Sequence, residues 1–184
     1  MKVLVLWSSP NTDGLTAAAK NHVMEGLSEA GMEAEEIQLN AMDLRHCAAC
    51  GNGFGTCRTE GTCVQQDDLA GIYKKMQEAD GLIFVTAVYW HDVTECMKSF
   101  LDRVRRLEAN HNHYLKGKKC LLAACAGGSG NGAVECLRTM EKYASHMELV
   151  PCDRLPVIRF SRAYMLPALK AAGKALGEKL KGTE

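Results

Sequence analysis

Four cysteines stand close together in one segment of the chain, and cysteines at such spacing could carry redox or metal chemistry. The segment reads HCAACGNGFGTCRTEGTCVQQDD, and its spacing C-x2-C-x6-C-x5-C is set by Cys47, Cys50, Cys57 and Cys63. Thiolates are soft ligands that bind iron or zinc, and they can also pair as disulfides or stay free. Which of these states the four thiols adopt decides whether the protein moves electrons singly or in pairs.

Composition and charge narrow these alternatives. The chain has 184 residues, 22 basic and 22 acidic side chains and no net charge, so nothing favours nucleic acid or an anionic membrane as a partner. We recognise no signal peptide and no apolar run long enough to span a bilayer. We therefore expect one domain, 1–184, in the reducing cytoplasm, where metal or redox roles for cysteines are favoured over disulfides.

The segment SSPNTDGLT (8–16) has the composition of a phosphate-binding loop. It follows an apolar run, precedes a helical pattern, and offers the hydroxyls of Ser9 and Thr16 and the amide of Asn11. Backbone N–H groups at a helix N-terminus suit an anion. The segment has no Lys or Arg and lacks the GK[ST] of a triphosphate site. We interpret it as a monophosphate site, the alternative being an ordinary polar turn.

Two further loops have residues that suit a flat ligand. TAVYWHD (86–92) carries Tyr89 and Trp90, whose rings either stack near a planar ring or cover the core. AGGSGNG (126–132) has four glycines, which allow close backbone approach. Its spacing also resembles a dinucleotide fingerprint, with Glu148 as the acidic partner, but that fingerprint belongs on the first strand of its fold. We expect it to lie along a ring edge instead.

The elements that must position these loops alternate between strand and helix patterns. Apolar runs predict strands at 2–7, 81–90 and 119–128, with weaker candidates at 32–39 and 147–152. Helical stripes of apolar residues follow each of them. Five such units predict an α/β fold, a doubly wound five-stranded parallel sheet in a three-layer αβα arrangement.

The polarity of the strands predicts their order. The first, third and fourth predicted strands are continuously apolar, as central parallel strands are, whereas the second and fifth are mixed, as edge strands can be. This favours the flavodoxin-like order 2-1-3-4-5. A ligand of such a sheet binds at the carboxyl ends of the strands, where the three loops emerge.

Other segments receive structural interpretations. We predict a cysteine-rich loop at 43–66, a helix cap at Asp67 and Asp68, and a solvated helix face at RVRR (103–106). The segment DRLPVIRFSR (153–162) fits no core element and is expected to be an excursion or a subunit contact. The remaining cysteines are expected to be buried small apolar residues: Cys96, Cys120, Cys125, Cys136 and Cys152.

The three loops together resemble those of flavodoxin-like NAD(P)H-dependent FMN reductases, and in particular the iron–sulfur flavoproteins. The family's G-S-P-R-x-x-G-N-T is similar to SSPNTDGLT (8–16), its S-P-V-Y-W-G to TAVYWH (86–91), and its AGGSGNGA to 126–133. The resemblance covers nearly the whole chain. The family's Arg is Asn11 here and its Asn is Leu15, so phosphate binding would depend on hydroxyls and backbone.

The resemblance implies a bound FMN and assigns residues to it. The phosphate would be held by Ser9, Asn11, Leu15 and Thr16. The ring would be held by two groups of residues, namely Ala87, Val88, Tyr89 and Trp90, and Gly127, Gly128 and Ser129. Tyr89, Trp90 and His91 would flank the ring, and no side chain is assigned a catalytic role because the flavin supplies the chemistry.

The resemblance also implies a cluster on the cysteine-rich loop. Iron–sulfur flavoproteins carry roughly C-x2-C-x2-C-x4–7-C there, whereas this chain has about four extra residues before Cys57 and has Gly53 in the usual third place. We expect a 4Fe-4S cluster on Cys47, Cys50, Cys57 and Cys63. Zinc and metal-free thiols remain alternatives.

The expected function is an FMN-dependent reductase that takes electrons from NAD(P)H or reduced ferredoxin and passes them to a small-molecule or protein acceptor. A flavodoxin-type electron carrier is one alternative, disfavoured because this neutral chain lacks the acid excess of a typical flavodoxin docking face. A redox sensor based on the cysteine-rich loop is another. By resemblance we also expect a homodimer or homotetramer.

Overall fold

A computed structural model describes residues 1–182, without the side chains of Asn110 and His111, as a parallel sheet between two layers of helices. The strands are β1 (Lys2–Ser8), β2 (Glu33–Gln38), β3 (Gly81–Tyr89), β4 (Asp92–Val93), β5 (Lys119–Ala126) and β6 (Val150–Ile158). The helices are α1 (Leu15–Glu29), α2 (Thr56–Thr59), α3 (Leu69–Glu78), α4 (Glu95–Leu107), α5 (Ala133–His146) and α6 (Arg162–Lys181).

The sheet has the order β2-β1-β3-β5-β6, with β4 paired to β3 outside this path. The five strands of the main path are parallel, and they are the five that the sequence predicts, so the order 2-1-3-4-5 and the flavodoxin-like fold are confirmed. The two-residue β4 is an addition, antiparallel to the end of β3.

The core lies on both faces of the sheet because β1, β3 and β5 are buried on both sides. One apolar cluster packs α3, α4 and α5 against the sheet, and the other packs α1 and α6. Glycines let α1 and α6 approach closely: a Cβ at Gly26 would lie 1.9 Å from the carbonyl oxygen of Lys170. The two faces together hold the carboxyl ends of the central strands in fixed positions.

The expectation that 153–162 fits no core element was wrong for 153–158, because β6 continues to Ile158, whereas the subunit contact stays a prediction. Leu155 and Val157 are buried and alternate with more exposed neighbours, which is the pattern of a strand packed on one face. Pro151 and Pro156 are tolerated because β6 lies at the edge of the sheet.

All nine cysteines are free thiols in the structure. Cys120, Cys125 and Cys136 are buried as expected, and burial raises the pKa of each thiol to about 12. Cys96 is half-buried, and the expectation was wrong for Cys152, which is exposed on the edge strand. Among the described residues, no helix has the length and apolar character needed to cross a bilayer.

Candidate functional site

The three sequence-predicted loops leave the sheet side by side. In the register of the central strands, Ser8 lies opposite Thr86, and Thr86 lies opposite Ala124. The loops that follow these residues therefore share one edge, the carboxyl edge of the parallel sheet. This is the position at which ligands bind in open α/β folds.

The first loop leads into a helix whose N-terminus has no side-chain cap. Helix α1 begins after Gly14, and no side chain among the described residues accepts a hydrogen bond at that cap. The Asn11 N–H donates to Ser9 Oγ at 3.2 Å, and Asn11 Oδ1 accepts from the Asp13 N–H at 3.2 Å. The first turn of α1 is thus left with N–H groups that suit an anion.

The predicted phosphate residues differ in exposure. Ser9 and Thr16 are buried, Leu15 is half-buried and Asn11 is exposed. The Thr16 side chain shares a hydrogen bond with the Cys125 thiol, which brings the start of α1 to the end of β5. The phosphate loop therefore adjoins the strand that leads into the glycine-rich loop.

The second loop is a tight hairpin turn made by two large residues. Tyr89 pairs with Asp92, so Trp90 and His91 form the two-residue turn between β3 and β4. Both have positive φ, 45° and 69°. Such turns usually carry Asn-Gly, and a left-handed conformation costs a non-glycine residue about 1–2 kcal/mol. The turn holds Trp90 outward, with 93% of its surface exposed.

The third loop meets the second in one cleft. The cleft has a volume of ≈ 260 Å³ and is lined by Val88, Trp90 and His91 from the second loop and by residues 126–131 from the third. It unites five of the seven predicted ring residues. Ala87 and Tyr89 lie on the same strand but do not line the cleft, and the phosphate residues lie in the neighbouring loop.

Nothing in the conformation or packing of the chain requires glycine at positions 127 and 128. Neither has a positive φ, and a Cβ built on either would have no atom within 4 Å. Gly132 differs, since its φ is 84° and a Cβ there would lie 2.6 Å from His91 Cα. The space beside Gly127 and Gly128 is therefore open to a ligand.

The cysteine-rich loop is closed at its base by two aspartates. The Asp43 N–H donates to Asp68 Oδ2 at 2.7 Å, and the Arg45 N–H donates to Asp67 Oδ2 at 2.9 Å. The loop therefore leaves and rejoins the fold at one place. Asp68 occupies the N-cap position of α3 without a side-chain cap bond, and the Leu69 N–H reaches Asp67 Oδ1 at 3.3 Å. Of the helix cap predicted at Asp67 and Asp68, the structure therefore has this one hydrogen bond to Asp67.

The four clustered cysteines line one cavity. Cys47, Cys50, Cys57 and Cys63 surround it together with Arg103, and its volume is ≈ 20 Å³. That is room for about one water molecule, so a larger group would require the loop to move outward. Among the side chains that the structure describes, no three from His, Cys, Asp or Glu converge on a single metal ion.

The residues inserted before Cys57 fold back against α4. Gly53 has a φ of 113°, and its carbonyl oxygen accepts a hydrogen bond from Arg106. The Arg106 guanidinium lies 4.5 Å from the centre of the Phe54 ring. A Cβ at Gly55 would lie 2.6 Å from Cys50 Sγ, so glycine permits this approach. The short helix α2 then carries Cys57 to the cavity.

The prediction of a solvated face at 103–106 was wrong for Arg103. This side chain is 2% exposed, and its guanidinium donates to both carboxylate oxygens of Asp67, at 2.5 and 2.9 Å. It also donates to the Arg45 carbonyl oxygen at 2.9 Å and to Cys63 Sγ at 3.2 Å. Although burial opposes it, the contact with Arg103 lowers the pKa of Asp67.

Sequence reasoning missed this pair because its members lie far apart in the chain. Arg103 has Val104 and Leu107 as buried neighbours on α4, so it falls on the face that packs inward. A basic residue within an apolar helical stripe is the signal that could have shown a buried role.

Comparison with known proteins gives a consistent assignment. Residues 1–158 match the model of a family described as NADPH-dependent FMN reductase. An iron-sulfur flavoprotein of Methanocaldococcus jannaschii is 34% identical over 135 residues, which are 73% of this chain and 66% of that protein. An iron-sulfur flavoprotein of Archaeoglobus fulgidus is 32% identical over 118 residues, 64% of this chain and 51% of that protein. The match thus spans between half and two thirds of these relatives.

Solved structures show the same fold. An NAD(P)H:quinone oxidoreductase from Methanothermobacter marburgensis superposes with a TM-score of 0.75 and 22% identity, covering 96% of both chains. A flavodoxin from the domain Archaea has a TM-score of 0.65 and 16% identity, covering 98% of this chain and 99% of that one. At such identities the likeness establishes the architecture.

Proposed function

The chain belongs to the NADPH-dependent FMN reductase family, and from that premise we propose that it binds FMN at the three loops and reduces an acceptor with electrons from NAD(P)H or reduced ferredoxin. We propose also that the cysteine-rich loop holds a 4Fe-4S cluster. The family and the fold support flavin-dependent oxidoreduction as the general activity.

The observation that carries the FMN site is the open space beside Gly127 and Gly128. Neither backbone conformation nor packing requires glycine at these two positions, and both residues line the cleft together with Trp90 and His91. Trp90 and His91 adopt left-handed conformations that folding alone does not favour. A planar ring between the glycine loop and this turn explains both features.

The first loop suits the phosphate end of the same ligand. The uncapped N-terminus of α1 presents N–H groups, and the Ser9 and Thr16 hydroxyls lie beside it. Asn11 is exposed and stands where the family has arginine. Phosphate binding by hydroxyl and backbone donors is therefore the proposed arrangement.

The cysteine-rich loop fits a cluster by its donors. In a 4Fe-4S cluster each thiolate binds a different iron, so the sulfur atoms must surround a cavity without converging on one point. Cys47, Cys50, Cys57 and Cys63 all line one cavity, which supports this arrangement, and the loop would move outward to admit the cluster. The buried Arg103 Nε has no hydrogen-bond partner among the described residues and belongs to a side chain that lines the cavity.

The chain's own residues have limited tasks in this chemistry. FMN, when bound, takes up a hydride and returns electrons singly or in pairs. The glycine loop would offer backbone N–H donors to the bound ring, and Trp90 and His91 form one wall of the cleft. Loop 8–16 anchors the anionic end. No side chain is needed as a nucleophile or a strong base.

The test is the absorption spectrum of protein purified without oxygen, with FMN, iron and sulfide counted on the same sample. We expect flavin bands, a broad shoulder at about 400 nm that dithionite bleaches, and about four irons per chain. Flavin without iron would leave a two-electron reductase and refute the cluster. Absence of flavin after reconstitution with FMN would refute the proposal.

Turnover separates the reductase from its alternatives. Steady oxidation of NADH or NADPH with a quinone acceptor would establish an enzyme. Steady quinone reduction with reduced ferredoxin as the donor would also establish an enzyme, whereas an electron carrier would take up electrons from reduced ferredoxin without sustained reduction of a quinone. A sensor would show neither, and its thiols would change state with the ambient potential.

We further propose that two or four copies assemble at the carboxyl edge, in a cytoplasmic compartment. Trp90 and Phe160 are 93% and 84% exposed, and both follow the carboxyl ends of strands. The free thiols suit a reducing compartment. Analytical ultracentrifugation of the FMN-loaded protein tests the assembly, which a monomer at 50 micromolar, roughly the range of weak dimers, would refute.

A further inference from the structure

We propose that Arg103 is a positioning residue that raises the reduction potential of the group held by the four cysteines, by donating N–H hydrogen bonds to its sulfur atoms. The inference rests on the proposed cluster and goes beyond it, since it names the protein group that sets the cluster's potential. Three features of Arg103 support the inference, namely its hydrogen bonds, its burial and the absence of a partner for its Nε donor among the described residues.

The contacts place the guanidinium at the cysteine cavity in a fixed orientation. Nη2 donates to Cys63 Sγ at 3.2 Å and to Asp67 Oδ1 at 2.9 Å, while Nη1 donates to Asp67 Oδ2 at 2.5 Å and to the Arg45 carbonyl oxygen at 2.9 Å. A planar fork held on both arms has little freedom to reorient. The bond to sulfur is therefore a built feature of the fold.

The unused donor points to a further acceptor. Arg103 Nε is buried and is one of two such side-chain nitrogens without a hydrogen-bond partner among the described residues, the other being Trp7 Nε1. An unsatisfied buried donor is costly, and native proteins usually pair it. The side chain lines the cysteine cavity, where a sulfide or thiolate would be the available acceptor.

Burial makes the charge effective. At 2% exposure the guanidinium is little screened by solvent or salt. A cluster gains negative charge when it is reduced, so a nearby cation and N–H···S bonds favour the reduced form and raise its potential. Asp67 has the opposite charge and is bound by both arms of the same fork, so its removal should act in the opposite direction.

The experiment is a potentiometric titration of the FMN- and cluster-loaded protein, followed by the cluster's electron paramagnetic resonance signal. We expect Arg103→Gln to shift the ratio of reduced to oxidised cluster at least tenfold toward oxidised at a fixed potential, which is 59 mV for one electron. The matched control is Arg105→Gln, which removes the same charge two residues along α4, where the side chain lies 3.4 Å from His146. We expect no shift of the cluster in this control.

Two further variants separate tuning from a merely structural role. Arg103→Lys keeps the charge and should recover most of the potential, and Asp67→Asn should raise it. A structural role would lower the cluster content of these variants without the opposite shifts in potential expected of Arg103→Gln and Asp67→Asn. If Arg103→Gln holds a cluster at an unchanged potential, or if no variant at 103 or 67 retains iron, the inference is overturned. Absence of iron in the wild-type protein would instead refute the proposed cluster, and the FMN content of that sample would show whether the flavin site survives.

Discussion

The carboxyl edge of the sheet and the cysteine-rich loop are both made of irregular chain, but they are held in place by different means. At the edge, the loops leave adjacent strands in register, and two hydrogen bonds of Ser8, at 2.5 Å to Thr94 Oγ1 and 2.9 Å to Asn40 Oδ1, fix their base. The glycine-rich backbone of 126–131 forms one side of the cleft, and Val88, Trp90 and His91 complete it.

The cysteine-rich loop depends on side chains from a neighbouring helix. Arg103 and Arg106 of α4 hold Cys63 and Gly53, and Asn112, just beyond α4, donates to the Gly61 carbonyl oxygen at 3.0 Å. Within residues 43–66, all of which the structure describes, the one regular element is the four-residue helix α2. The edge should therefore tolerate side-chain changes outside its glycines and the turn at Trp90 and His91, whereas the loop should lose stability when one long-range anchor is removed.

The largest expected effect is on iron. We expect Cys57→Ser to reduce the iron content from about four per chain to nearly none, since a 4Fe-4S cluster needs four thiolates. FMN content should stay unchanged because the cleft lies at the carboxyl edge and contains no cysteine. Cys152→Ser, at an exposed thiol on β6, is the control. Full iron retention by Cys57→Ser would show that the third ligand is another residue.

The second prediction concerns the anchor of the loop. Asp67→Asn should lower the free energy of unfolding of the cofactor-free protein by about 3–5 kcal/mol, because it leaves the buried Arg103 without its counter-ion. Lys98→Gln is the control, since its pair with Asp102 is partly exposed and is worth about 0–1 kcal/mol. Urea denaturation measures both. A loss below about 1 kcal/mol for Asp67→Asn would contradict the dependence on a long-range anchor.

The third prediction tests the open glycines. Gly128→Val should weaken FMN binding at least tenfold, about 1.4 kcal/mol, by filling space that the ring would occupy. The stability of the cofactor-free protein should stay nearly constant, since a Cβ there has no atom within 4 Å. Gly71→Val, at an equally open glycine on α3, should leave FMN affinity unchanged. Quenching of FMN fluorescence gives both affinities, and equal values would remove Gly128 from the site.

The smallest expected effect is in the dependence on pH. The pKa of Asp67 is lowered from its ordinary value of 3.8, so its pairing stabilises the fold above pH 3.8 and is lost as the pH falls through the lower folded value. The difference in stability between the wild type and Asp67→Asn should be constant between pH 7 and 5, roughly a range in which Asp is ionised in both states, and should shrink below it. A difference that grows in acid would contradict this assignment.

The sequence predicted the features that repeat along the chain. Continuous apolar runs identified β1, β3 and β5 as central strands, and the mixture of polar and apolar residues identified β2 and β6 as edge strands. The order of the sheet could therefore be predicted from the sequence. The positions of the three loops could be predicted for the same reason, because they follow from the positions of the strands. The end of β6 was missed because prolines interrupt it, although Leu155 and Val157 show the alternation of a strand.

What the sequence could not show depends on pairs distant in the chain. Arg103 and Asp67 are 36 residues apart, and each has a plausible local role as a surface charge or a helix cap. The turn at Trp90 and His91 was likewise hidden, because Asn-Gly is the usual signal for its geometry. Backbone conformation at these two residues became visible only in the fold.

That turn has a consequence for directed evolution. Replacing Trp90 and His91 with Asn and Gly would relieve two left-handed conformations, so a screen for heat resistance alone should enrich this change. The same change would remove one wall of the cleft beside the glycine loop. Selection for thermostability and selection for flavin retention should therefore diverge at these two codons, and libraries from the two screens would identify the positions at which stability has been given up for binding.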